Sequence, residues 1–159
     1  MHNYAAGTRS TVSGYRERLS PSLWLIVSAA VAAPMVALVF VPVDAAIALA
    51  AGITAGALIV FGLIAASPVV SLSGGTLRVG RARIDVADLG DAVALTGDAA
   101  REARGPGLSR SAWHLLRGGI DGVVRVAVSD SDDPVTEWVF SSRTPDRVVA
   151  LIARAQRAR

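Results

Sequence analysis

Between Arg18 and Arg78 the chain carries a single charged residue, Asp44. Apolar positions run almost continuously on either side of it, over residues 22–41 and again over residues 45–66. About 20 apolar residues in helical conformation cover roughly 30 Å of hydrocarbon, so each run predicts a membrane-spanning helix. Pro42-Val43-Asp44 separates them. Proline ends the first helix, and the Asp44 carboxylate can accept the orphan amide protons that open the second. So short a connection forces the helices antiparallel, and residues 21–67 read as a transmembrane hairpin.

Basic residues set its orientation. Arg9, Arg16 and Arg18 precede the first span, Arg78, Arg81 and Arg83 follow the second, and the connecting turn has none. The positive-inside rule then puts both termini in the cytoplasm and the protein in the cell membrane, with residues 1–20 as an N-terminal cytoplasmic segment. Trp24 fits an interfacial anchor. Three rivals are weaker. A signal-peptide core over residues 23–31, with Ala30-Val31-Ala32 as its cleavage site, would not continue into a second span. An intramembrane acid at Asp44 conflicts with its place in a turn beside Pro42. A buried helix pair of a soluble protein would not need two uncharged runs of this length.

Gly52 and Gly56, with Ala48 one turn earlier, form a small-xxx-small stripe that lets another helix approach closely. The first helix of the same chain is the expected partner, and a homodimer face is the alternative. Pro34 removes one hydrogen bond from the first helix.

After Ser67-Pro68 the pattern changes to short alternating runs, and residues 68–159 read as a separate cytoplasmic domain. "VVSLSGGTLRVG" predicts two strands around a Gly74-Gly75 turn. Ile84 and Val86 are out of phase with Leu77 and Val79, and Gly80 sits where a bulge or turn would make the shift. "DAVALTG" predicts another strand, and residues 97–110 read as a loop with no more than a helical turn. "DGVVRVAVSDSDDPVTEWVFSS" is a clear hairpin, with Trp138 and Phe140 facing the core. Thr144-Pro145 opens a helix that turns Val148, Val149, Leu151, Ile152 and Ala155 inward and Arg147, Arg154 and Arg157 outward. The expected fold is a membrane α-helical hairpin plus an α+β soluble domain. That domain should be a PH-like small β-barrel or curved sheet capped by the C-terminal helix.

Composition agrees. The 159 residues are 52% hydrophobic and 18% charged, too apolar for an ordinary soluble domain. The pI near 10.5 suggests nucleic acid, but the charge is thinly spread. Residues 1–67 are net +1 and residues 68–159 net +2, without the dense basic stripe that phosphate backbones require. Every basic side chain other than histidine is an arginine. The absence of cysteine excludes disulfides and thiolate chemistry.

In this order, "YRERL", the uncharged hairpin, "LRVGRARIDVADLGDAVAL", "GVVRVAVSDSDDPVTEW" and "SSRTPDRVVALI" resemble DUF3093, a family of small actinobacterial membrane proteins of unknown function. The resemblance covers residues 15–155. It implies two spans followed by a cytoplasmic domain, and it carries no activity or catalytic residues with it.

Candidate chemistry is sparse. His114 has no Ser or carboxylate at a spacing that implies a triad. His2 lies near the terminus. The acids of "SDSDDP" lack calcium-loop spacing, and "SGGTLRVG" is no phosphate loop. No catalytic residue, metal site or cofactor is implied. Arg78, Arg81 and Arg83 remain, as candidate contacts to anionic headgroups or as topology determinants alone. The expected function is a non-catalytic, membrane-tethered interaction module. The alternatives are a helix-packing accessory subunit of a membrane complex and an anionic-lipid-binding domain. Expected partners are membrane lipids and a protein partner or second copy, not nucleic acid.

Overall fold

The apolar runs form two helices, α1 (Leu23–Phe40) and α2 (Ala45–Ala65), in a computed structural model that describes residues 14–158. His2 and Arg9 lie outside the described residues. The Ser22 hydroxyl accepts the Leu25 amide at the start of α1. Asp44 accepts the amides of Ala46 and Ile47 at 2.8 and 3.1 Å, which caps α2. α1 runs through Pro34 without a break. Mean hydropathy is 2.4 for both helices, and both are long and apolar enough to cross a membrane. They pack closely because Gly52 has no side chain. A Cβ there would lie 2.9 Å from the Ala33 carbonyl oxygen and from the Ala37 Cβ.

Two four-stranded sheets build the rest. The first has the order β1 (Tyr15–Arg18), β2 (Val69–Ser73), β3 (Thr76–Val79), β4 (Ala82–Asp85), all antiparallel. Gly74 and Gly75, both at positive φ, make the two-residue turn between β2 and β3. Gly80, at φ +61°, does the same with Arg81 between β3 and β4, so the phase change expected near it is a turn, with Leu77 opposite Ile84. The second sheet has the order β5 (Leu89–Leu95), β7 (Val123–Val128), β8 (Glu137–Ser141), β6 (Ala112–Leu115). β6 runs parallel to β8.

The expected barrel does not close. After β4 the Asp85 carboxylate accepts the Ala87 amide and turns the chain through a 3-10 segment at Val86–Asp88. β5 therefore starts a new sheet instead of extending the first.

The main core lies between the inner face of the first sheet, one face of the second and helix α4 (Pro145–Arg157). It includes Leu77, Val79, Val124, Val126, Trp138, Phe140, Val148 and Ile152. Residues 97–110 hold more helix than expected. α3 (Gly97–Arg104) buries Ala100 and Ala103 against Val123 and Val139 on the other face of the second sheet. β8 is thus covered on both faces, which explains its unbroken Trp138-Val139-Phe140 run.

Residues 15–19 join this domain although they precede the hairpin. β1 pairs with β2 along its whole length, and Leu19 is fully buried in the main core. A chain beginning at Pro68 lacks both, and should show no cooperative unfolding transition by circular dichroism. Residues 14–21 joined by a flexible linker to residues 66–159 should restore one. In the hairpin, Gly52→Ala should lower thermal stability in detergent by roughly 1–3 kcal/mol. Gly62→Ala should not lower it and should raise it slightly, since nothing among the described residues lies within 4 Å of a Cβ there and alanine is the better helix former.

Candidate functional site

The segment before α1 is tied into the domain by one carboxylate. Glu17 accepts the Tyr15 hydroxyl at 2.8 Å, the Ser142 hydroxyl at 2.7 Å and the Arg143 amide at 2.7 Å. The Arg143 guanidinium reaches back to the carbonyls of Arg18 and Ser20 at 2.9 and 3.0 Å. Thr144, expected to cap α4, makes no side-chain cap. Its hydroxyl is shared with Tyr15 at 2.8 Å. The Arg147 guanidinium sits 5.6 Å from the centre of the Tyr15 ring.

The last turn of α2 is met from the other side. Its terminal carbonyls have no partners within the helix, and cations near them are favoured by the helix dipole. Arg18 donates to the Ile64 carbonyl at 2.8 Å and Arg117 to the Ala66 carbonyl at 3.4 Å. Both ends of the hairpin are therefore held by the same small domain.

Beside this junction lies an open groove of about 1040 Å³. One wall is the end of α2 at Ala65 and Ala66. The β3–β4 turn contributes Arg78 and Arg81, and residues 113–117 of β6 and its continuation contribute Trp113, His114 and Arg117. Arg104 and Leu108 close it. Trp113 stacks on Trp138, with ring centres 4.3 Å apart, and this holds its indole in place. Arg104 is fixed by the carbonyls of Ala100, Ile120 and Asp121. Arg78 donates to the Gly80 carbonyl at 3.1 Å. Arg117 keeps a buried Nε without a partner among the described residues. Among the described residues no acid lines the groove, and none of these four guanidiniums pairs with a carboxylate.

The outer face of the first sheet continues the same charge. Cross-strand register sets Arg16 beside Ser71, Ser71 beside Arg78, and Arg78 directly opposite Arg83. All three arginines are exposed. Of the sequence candidates, Arg78 and Arg81 thus enter the groove, while Arg83 stands next to it on the sheet. Ala48, Gly52 and Gly56 lie elsewhere. Ala48 and Gly52 are buried, and a Cβ on Gly56 would lie 2.9 Å from the Ala33 Cβ of α1. Sequence reasoning missed Arg104 and Arg117. The packing of α3 on the second sheet brings Arg104 there, and the parallel seating of β6 beside β8 brings Arg117; neither follows from a local pattern. Arg18 was visible as a topology determinant but not as a helix cap.

The profile of DUF3093, described as a protein of unknown function, matches residues 14–152. The chain belongs to this family. The match begins one residue before β1 and ends inside α4, so the family's sequence pattern includes both the strand before the hairpin and the helix that closes the core. No curated protein and no solved structure matches the chain.

The Tyr15 hydroxyl has its pKa raised above 10.0, chiefly because burial disfavours the phenolate. Its bond to Glu17 adds to the rise, and those to Thr144 and Ser142 oppose it. The folded protein therefore holds this proton to higher pH than the unfolded chain does. The resulting stabilisation is complete below about pH 10 and is lost as pH rises through the folded value. Denaturant titrations should show stability falling more steeply above pH 10 in the native protein than in Tyr15→Phe. Equal slopes would remove Tyr15 from the linkage.

Proposed function

We propose that this protein is a non-catalytic, membrane-tethered interaction module. Its hairpin is embedded in the cell membrane, and its sheet domain is held against the inner surface of that membrane. The observation that carries this reading is the contrast between the two halves at their junction. The helices expose Trp24, Met35 and Phe61 at 78%, 65% and 71%, and α1 buries no residue at all. In water such a surface would be a large uncovered apolar patch, whereas in lipid it is simply solvated. At the foot of the same helices stand Arg16, Arg18, Arg78, Arg81, Arg83 and Arg117, while the opposite turn carries only Asp44. That asymmetry favours cytoplasmic termini.

The domain supports binding rather than conversion. Its one histidine among the described residues, His114, is exposed on β6 with arginines around it and no carboxylate beside it. The PH-like comparison rests on a two-sheet core closed by a C-terminal helix, and it speaks to architecture only. The accessory-subunit reading is less favoured, because the small-residue stripe that would receive a foreign helix already receives α1.

The cysteine-free chain makes the orientation directly measurable. A single Val43→Cys should react with a membrane-impermeant maleimide added to intact cells. Ser73→Cys should react only after permeabilisation. The reverse pattern would invert the orientation, and extraction of the protein by alkaline carbonate would remove it from the bilayer altogether.

A further inference from the structure

We propose that the groove at the end of α2 binds the phosphate of an anionic phospholipid headgroup, drawn from the leaflet in which the hairpin sits. This inference rests on the membrane-tethered reading and names the ligand of its domain. The first support is uncompensated charge. A part-buried guanidinium is costly unless it is paired. Here Arg104 is locked by three carbonyls, which orient it without neutralising it. Arg117 retains a buried Nε with no acceptor among the described residues. Arg78 faces Arg83 directly across the strand pair, with Asp85 the nearest acid along β4, so two guanidiniums stand opposite one another at the edge of the groove. Guanidinium forks match the oxygens of a phosphate, and their bonds to it are charge-assisted.

The second support is position. Ala65 and Ala66, which end the apolar span, are also a wall of the groove. A cavity built on the last residues of a spanning helix opens at headgroup depth. The third is the mixture of surfaces. Leu108, Leu115 and Leu116 line the groove together with the arginines, and Trp113 stands among them. A free inorganic anion has no use for that apolar side, whereas the glycerol and upper acyl carbons of a lipid do. Trp and Arg are the side chains suited to this boundary.

Arg81 offers the cleanest test, since it is exposed and makes no hydrogen bond or ion pair among the described residues. The full-length protein in neutral detergent would be titrated with dihexanoyl phosphatidylglycerol, dihexanoyl phosphatidylcholine and inorganic phosphate. Thermal shift and native mass spectrometry would provide the readouts. Phosphatidylglycerol should bind about tenfold more tightly than phosphatidylcholine, and Arg81→Glu should abolish that preference. Arg157→Glu, a charge reversal at the exposed end of α4, should retain it. Arg117→Lys keeps the charge but loses the fork and should weaken binding to an intermediate degree. Equal binding of the two lipids, an unaltered preference in Arg81→Glu, or inorganic phosphate competing as well as the lipid would each overturn the proposal. Carbonate extraction of the cell membranes before solubilisation separates the two readings. A protein that stays in the membrane without phosphatidylglycerol preference loses only the site, and one that is extracted loses both.

Discussion

Glu17 joins parts of the chain that are 125 residues apart, and the architecture depends on that junction. Its carboxylate gathers the Ser142 hydroxyl and the Arg143 amide, while Arg143 grips the carbonyls just before α1. Hydrogen bonds to a charged acceptor are the stronger kind, worth about 1.5–3 kcal/mol each. With Leu19 sunk in the core beneath them, they make residues 15–19 a structural part of the domain instead of a leader to the first helix. Arg18 and Arg117 complete the arrangement at the end of α2, level with the start of α1. A helical hairpin attached through one chain end could swivel on its linker. Attached through both, it shares a frame with the sheets, and that shared frame gives the groove a defined wall at Ala65 and Ala66.

Arginine serves several purposes here. At the foot of α2 it caps carbonyls, in the groove it is splayed over backbone oxygens, and on the sheet it stands in register across neighbouring strands. A guanidinium can donate to a carbonyl through one edge and still present the other. Such a fixed cation differs from the mobile ammonium of a polybasic tail, since its direction is set before any anion arrives. The modest net charge of +3 conceals this local order.

The elements that depend on local chemistry were legible in the sequence. Continuous apolar runs predicted both helices, and Asp44 took up the capping position its place beside Pro42 suggested. Paired glycines marked the β2–β3 turn, and Val124, Val126 and Trp138 alternated as core positions should. The elements that depend on distant partners were not legible. β1 is a four-residue stretch of alternating charge whose strand character comes from β2, beyond the whole hairpin. β6 is equally short and is held by a parallel neighbour. α3 is a short, Ala- and Arg-containing helix whose small buried face exists only because Val123 and Val139 are there to receive it. The groove inherits this limit. Arg78 and Arg81 are close in sequence to the span and could be singled out, whereas Arg104 and Arg117 arrive through α3 and β6.

The antiparallel pairing of α1 and α2 also bears on the order in which the molecule is assembled. During synthesis β1 emerges first and has nothing to pair with, because β2 follows only after both long helices. Closing a loop of nearly fifty residues in open solution would carry an entropic penalty. Once the helices have come together, however, the chain entering α1 and the chain leaving α2 return to the same level, and β1 finds β2 already alongside. The helix pair is in this sense a template for the first sheet. Glu17 must still wait for Ser142, so the domain is secured only when almost the entire chain has been made.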